Sequence, residues 1–392
     1  MDSVKLTRIT PWRVVLVLIL AAGAYATYVR FIHGLGASTN LSDRFPWGLW
    51  IGFDVLCGVG TAAGGFTLAA IVYIFHLERF RPIVRPAILI AFLGYARVGA
   101  TMLYEVGRPI RIWYPLILWN PHSVLFEVAW CIMLYLTVAG LEFAPVWLER
   151  LGWKRAEQAV HAVMIPLVFI GILLSTLHQS SLGSLFLIVP SKLHPYWYTP
   201  LLPVLFFVSA VGTGLALLIL ASHLSARAFG VSIEWPVILD LGKAMAVALL
   251  LYAVIRIQDL ATRGAFRLLR EPSVERTPFL LEMFVGLLLP LVLLFTRRIR
   301  ESRGGLFAAS ILVIAGFLLN RMNVAITGLQ GWANVHYFPK WTEIAVSVST
   351  VAAAVFAFGL AVRYLDVFPK TKPQAGTTVK PAGVFTAPPV FS

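Results

Sequence analysis

Long apolar runs separated by short polar segments make up most of the chain. The runs are too long and too uniformly apolar for alternating strands or for the single stripe of a soluble helix. A helix that crosses a bilayer needs about 20 apolar residues. Ten stretches qualify, over roughly residues 12–33, 52–77, 84–105, 123–144, 158–178, 200–222, 237–257, 279–299, 306–326 and 342–366. The pattern predicts an all-α integral membrane fold. Lys5, Arg8 and Arg13 precede the first run and Ala24-Tyr25-Ala26 imitates a cleavage site, as in a signal peptide; the run continues to Phe31, which favours a retained anchor.

Composition agrees with this. The 392 residues are 59% hydrophobic and 13% charged, with a mean hydropathy of +0.83, which rules out an ordinary soluble domain. The net charge of +14 would suggest nucleic acid in a soluble chain, but here it orients loops across a membrane. Lys and Arg are in excess on the N-terminal tail, the even-numbered loops and the C-terminal tail, which puts both ends in the cytoplasm. The odd loop 258–278 votes the other way with Arg263, Arg267, Arg270 and Arg276. It reads either as a docking site for an acidic partner or as a solvated amphipathic segment. Cys57 and Cys131 both lie in apolar runs and supply no ligand set for an iron–sulfur cluster, so any such centre sits on a partner.

The helices pair at an offset of about 150 residues. Val59-Gly60-Thr61 recurs as Val211-Gly212-Thr213, Pro86-Ala87-Ile88-Leu89 as Pro236-Val237-Ile238-Leu239, Leu125-Phe126-Glu127 as Leu280-Leu281-Glu282, and Gly171-Ile172-Leu173-Leu174 as Gly316-Phe317-Leu318-Leu319. An even number of spans per repeat keeps its orientation, which predicts two four-helix bundles in parallel. The expected organisation is an anchor over 1–40, a first bundle over 41–195, a second over 196–335, a last span over 336–366 and a disordered tail over 367–392.

A charged side chain at the bilayer centre costs about 3 kcal/mol or more, so ionisable residues within the spans are functional candidates. Asp54, Glu105, Arg108, Glu127 and His178 are expected to converge on one layer of the first bundle, either as an ion-pair network or as a proton-exchanging ligand site. The string Leu177-His178-Gln179-Ser180-Ser181-Leu182-Gly183 suggests a broken helix lining a cavity. A quinone suits such a cavity, because it needs apolar walls, a donor for each carbonyl and a proton for each on reduction. His178 and Glu127 are the expected proton-handling pair. Trp47, Trp50, Trp113, Tyr114 and Trp119 read mostly as interfacial anchors. In the second bundle Glu282 stands at the place of Glu127, with Asn323 and Arg321 at the place of His178. Lys243, Arg256, Arg321 and Arg363 are expected to be buried cations, with Glu282 and Asp240 as counter-ions. Haem b needs two histidines at matching depth. His76, His161 and His223 fall toward one face and His33, His122, His178 and His194 toward the other, which disfavours haem.

Longer strings carry a resemblance: Phe45-Pro46-Trp47-Gly48-Leu49-Trp50-Ile51-Gly52-Phe53-Asp54, Val106-Gly107-Arg108, Ser123-Val124-Leu125-Phe126-Glu127, Leu141-Glu142-Phe143-Ala144-Pro145, His178-Gln179-Ser180-Ser181, His194-Pro195 and Tyr337-Phe338-Pro339-Lys340-Trp341-Thr342-Glu343. Over roughly residues 40–366 the chain resembles the NrfD family, and within it the HybB branch of membrane subunits of periplasmic nickel–iron hydrogenases. The resemblance implies a haem-free subunit of the bacterial inner membrane. It would dock a periplasmic iron–sulfur protein, take electrons from hydrogenase large and small subunits through it, and pass them to menaquinone or ubiquinone. It implies proton transfer through Glu127 and His178, and a quinone site that includes Trp47, Asp54, Arg108 and Gln179. His122 and Arg97 depart from the HybB pattern. The same module in a polysulfide reductase, or more distantly a secondary transporter, stays open.

Overall fold

The structure, a computed structural model, describes residues 11–231 and 233–368. The basic residues Lys5 and Arg8 and most of the tail expected over 367–392 lie outside these. Ten helices are long and apolar enough to cross a membrane: α1 Pro11–His33, α2 Trp50–Ile74, α3 Glu78–Glu105, α4 Val124–Leu151, α5 Met164–Ser184, α6 Leu202–Phe229, α7 Trp235–Thr262, α8 Arg276–Phe295, α9 Arg303–Ala333 and α10 Trp341–Tyr364. The expected all-α membrane fold is observed, with no strand among the described residues. Loops after odd-numbered helices define one face, here the odd-loop face, and the remaining loops the even-loop face.

Among the boundaries that differ from expectation, two bear on the site, and each has a local reason. α4 runs through Pro145 to Leu151 and stops where Gly152 adopts φ 72°, a left-handed cap that glycine takes without a Cβ clash. The polar stretch after it forms a separate short helix, Lys154–Ala162, so α5 starts at Met164 and ends at Ser184. His178 is therefore inside α5 rather than at its end. The expected break at His178-Gln179-Ser180-Ser181 is absent: the hydroxyls of Ser180 and Ser181 donate to the Leu177 carbonyl at 2.8 and 2.7 Å, folding their polarity back onto the helix. Irregular backbone appears elsewhere, as π-helical turns at Trp50–Cys57, Glu282–Leu288 and Asn323–Thr327.

α2–α5 make up a first, sequentially packed helix group, and α6–α9 a second in which α6 and α9 are the hubs. α2 lies on α3, α3 on α4 and α4 on α5; α6 lies on α7 and α9, and α8 on α9. α6 joins the groups, lying against both α2 and α5. A Cβ on Gly64 would meet the Gly214 carbonyl oxygen at 2.7 Å, so only glycine lets these backbones approach so closely. α1 and α10 pair with each other at the edge, Gly23 against Ser349, and α10 reaches α3. The segment before α10 is clasped to the segment before α2. Tyr337 donates to Glu343 Oε1 at 2.5 Å and accepts from the Leu49 amide at 2.9 Å, while Glu343 Oε2 accepts from the amides of Asn40 and Lys340 at 2.9 and 2.8 Å.

Candidate functional site

The first helix group carries a buried polar centre around His178. The ring is fully enclosed, its Nδ1 lies 3.2 Å from the Tyr95 hydroxyl of α3, and its Nε2 has no hydrogen-bond partner. Tyr95 packs against Tyr135 of α4, ring centroids 4.2 Å apart. Ser175, nearly one turn before His178 on α5, is fully buried with an unpartnered hydroxyl. Gln179 is enclosed too, and both its amide oxygen and nitrogen lack partners. Native proteins pair almost all buried polar atoms, so three such side chains on one helix mark a place where hydrogen-bonding capacity is held in reserve. His178 and Gln179 are adjacent on a helix and project about 100° apart, so they serve different sides of α5.

The five residues expected in one layer do not form one. Asp54 is fully buried and paired with Arg97 of α3. Its other carboxylate oxygen accepts from Ser347 of α10 at 2.5 Å, and its backbone carbonyl accepts from Arg97 at 3.1 Å. Arg97, read from the sequence as a departure, is thus the partner that allows an aspartate at this depth. Glu105 ends α3 with one carboxylate oxygen buried and unpartnered, beside Arg30, which donates to the carbonyls of Tyr104 and Val106 at 2.6 and 2.8 Å. Arg108 is exposed in the loop that follows. Glu127 is exposed in the first turn of α4, where the helix N-terminus favours a carboxylate. It sits eight residues from Tyr135, about 12 Å of helix rise, so it approaches the His178 centre along α4 without touching it. Trp47 is half-buried, edge-on to Phe186 at 5.9 Å. Trp50 is no anchor: it is buried and donates to the Glu343 carbonyl at 3.2 Å. Trp113 and Trp119 are exposed.

The second group holds a closed network instead. Glu282 Oε2 accepts from Trp197 and Asn323 at 2.8 Å each, Oε1 accepts from Asn320 at 2.8 Å, and Arg256 lies 3.9 Å away. Arg321 is fully buried; it donates to Asn320 at 2.7 Å and to Ser209 at 2.9 Å and stacks 3.4 Å above the Phe206 ring. Two of the four expected buried cations are not buried. Lys243 is 54% exposed and shares Asp240 with Arg79 at the even-loop face, and Arg363 is exposed near the end of α10. Charged ends of long helices reach water there, whereas Arg256 and Arg321 lie deeper.

Sequence reasoning missed Tyr95, Tyr135 and Ser175. Only the polarity of the Tyr95-Ala96-Arg97 triplet inside an apolar run hinted at the first of them. No group of three or more His, Cys, Asp or Glu among the described residues can hold a metal ion. For haem, His178 lies six residues from the odd-loop end of α5 and His223 twenty-one residues from the same end of α6. About 20 Å of depth separates them, too far for this pair to supply both axial ligands.

Comparison with known proteins fits this framework. The family model described as "Polysulphide reductase, NrfD" matches residues 37–333. A protein of Nitratidesulfovibrio vulgaris is 39% identical over 361 residues, covering 89% of this chain and 92% of its own. The probable Ni/Fe-hydrogenase 2 b-type cytochrome subunit of Escherichia coli K12 is 34% identical over 349 residues, 88% of each chain. The menaquinone reductase integral membrane subunit of N. vulgaris is 30% identical over 402 residues, 94% of each. A match that spans both helix groups, with relatives alike along most of their length, shows that this multi-pass membrane protein belongs to the NrfD family.

Proposed function

We propose that this chain is the quinone-reactive membrane subunit of a hydrogenase-type respiratory complex in the bacterial inner membrane. It passes electrons from a periplasmic iron–sulfur partner to menaquinone or ubiquinone, with proton uptake. The observation that carries this reading is His178: a buried imidazole, held by Tyr95 on one nitrogen and unpartnered on the other. A group so placed can donate to a quinone oxygen and pass it a proton. Glu127, at the membrane-exposed start of α4, is the second proton-exchanging group. Trp47, Asp54, Arg108 and Gln179 shape or hold the surroundings, Asp54 through its pairing with Arg97. Electrons arrive by tunnelling, since Cys57 and Cys131 are both buried single thiols with no cluster ligands beside them.

Partner docking is supported by the loop 106–123, which exposes Ile110, Trp113, Ile117 and Trp119 on the odd-loop face. The hydrogenase assignment draws on the E. coli relative's name, and the menaquinone reductase subunit supports the quinone. That second relative also favours an alternative, the same quinone module serving a different oxidoreductase.

The test uses the complex purified from its native membrane. Glu127→Gln and His178→Ala are expected to lower quinone-linked turnover about 100-fold or more, while hydrogen oxidation with a soluble acceptor dye continues. Equal loss of both activities would mean failed assembly, and unchanged quinone turnover in both variants refutes the site. Recovery of a molybdenum enzyme in place of a nickel–iron one moves the assignment to the alternative.

A further inference from the structure

α4 carries another acid that neither the ion pairs nor the His178 centre uses. Glu142 is 6% exposed and makes no hydrogen bond or ion pair with any described residue. It lies seven residues below Tyr135 on the same helix face, about 10 Å closer to the even-loop face. Across from it on α5 is Gly171, where a Cβ would come within 3.1 Å of Glu142 Oε1, so the carboxyl occupies the space this glycine leaves. One turn further along α5 is Ser175, with its unpartnered buried hydroxyl, and nearly one more turn brings His178. Tyr73, near the even-loop end of α2, lies within electrostatic reach of both Glu142 and the even-loop charges Glu78, Arg81 and Arg85.

A purely structural role does not account for this carboxyl. Glu282 in the other helix group has four polar neighbours and is fully committed to them, as a packing acid should be. Glu142 makes none of these bonds, so it does not tie helices together as Glu282 does. Its position explains it better. It stands between the even-loop face and His178, with Ser175, Tyr135 and Tyr95 hydroxyls in the interval.

We propose that Glu142 is the proton carrier that supplies the His178 centre from the even-loop face. The inference rests on the quinone reading above and deepens it by naming the side from which protons come. Reduction of one quinone takes two electrons from the iron–sulfur partner and two protons, and forms two O–H bonds. Glu142 releases its carboxyl proton toward Ser175, Tyr135 and Tyr95. Each hydroxyl passes one proton and receives one, with water bridging the longer intervals. The carboxylate then regains a proton from the even-loop side, and only the quinone and the electron donor change oxidation state. With the electron donor on the odd-loop face, turnover separates charge across the membrane.

The intact complex, reconstituted into sealed vesicles with a pH-sensitive dye inside and a water-soluble naphthoquinone as acceptor, tests this. Glu142→Gln is expected to slow quinone-linked turnover at least about tenfold and to remove proton uptake from the even-loop side, while dye-linked electron delivery continues. Glu142→Asp, which keeps an acid, should restore part of both, with a larger solvent isotope effect than the wild type. Glu142→Gln turning over at the wild-type rate with uptake unchanged overturns the proposal. If Glu142→Gln does not assemble, a wild-type rate and isotope effect in Glu142→Asp overturns it. The two readings separate cleanly: loss of turnover in His178→Ala with none in Glu142→Gln sinks only the route, whereas no effect in either sinks the quinone site beneath it.

Discussion

Single residues in this molecule divide by whether their polar atoms are satisfied. Asp54 is: Arg97 and Ser347 both bond it, so removing one side of the pair leaves the other charge stranded in an apolar surround. Asp54→Ala is expected to destabilise the protein by about 3–5 kcal/mol, and Arg97→Met added to Asp54→Leu to recover most of that, because an apolar pair of similar volume avoids the desolvation of both ions. Thermal melting in detergent across the double-mutant cycle measures it. His194, in the loop between α5 and α6, is satisfied only when neutral. Its Nδ1 accepts from the Tyr196 amide at 3.2 Å. Burial holds its imidazole below the ordinary histidine value, against a weaker upward pull from Glu275. The unfolded chain therefore takes up a proton first as pH falls below about 6.5. Stability should be level above that pH and decline from there down through the folded-state value, and His194→Gln, which keeps an acceptor but does not titrate, should flatten part of the decline in a melting series.

Helices meet where side chains vanish. A Cβ on Gly214 would lie 2.2 Å from the Gly64 nitrogen, and one on Gly316 would lie 2.3 Å from the Gly286 Cα; backbone cannot yield as a side-chain tip does. Gly214→Ala is expected to cost roughly 1–3 kcal/mol or to block folding of the two groups onto each other. Gly107→Ala, with nothing within 4 Å, should melt like the wild type. Spans of this kind were legible in the sequence because hydropathy measures what the bilayer selects, and all ten helices fall on the ten apolar runs. Where α4 stops and α5 starts was not, since the polar helix Lys154–Ala162 between them belongs to no apolar run. The site was legible in its charges and not in its hydroxyls. Asp54, Glu127 and His178 stand out in an apolar chain, but a tyrosine such as Tyr95 or Tyr135 reads as ordinary core, and only the packed structure shows the Tyr95 hydroxyl at His178 and the Tyr135 ring packed on Tyr95. The expected single layer failed because a sequence gives depth along each helix but not rotation: Glu127 faces outward while His178 faces in.

Across the whole molecule, the two faces differ in what their loops expose, and that difference bears on the proposed orientation. The odd-loop face carries the apolar segment 106–123 and the arginines after α7. Those arginines were the sequence's main objection to placing this face outside. In the structure Arg263 is bound to Asp259 at 2.6 Å and to the Pro195 carbonyl at 2.8 Å, so it ties the α7 end to the preceding loop. The even-loop face holds the denser basic cluster, Arg297, Arg298 and Arg300 between α8 and α9, where Glu301 pairs with Arg297 at 2.8 Å. Positive charge kept in short cytoplasmic loops sets the orientation of a multi-pass chain, so the proposed orientation has the even-loop face in the cytoplasm and, with ten spans, both flanks of the described chain on that side as well. Ile110, 84% exposed on the odd-loop face, reports on this directly. With Cys57 and Cys131 both buried, Ile110→Cys should react with a membrane-impermeant maleimide once the outer membrane alone is opened. Arg298→Cys should react only after the inner membrane is broken. The reverse pattern would invert the molecule, place the electron donor's docking loops in the cytoplasm, and make the Glu142 route draw its protons from the periplasm.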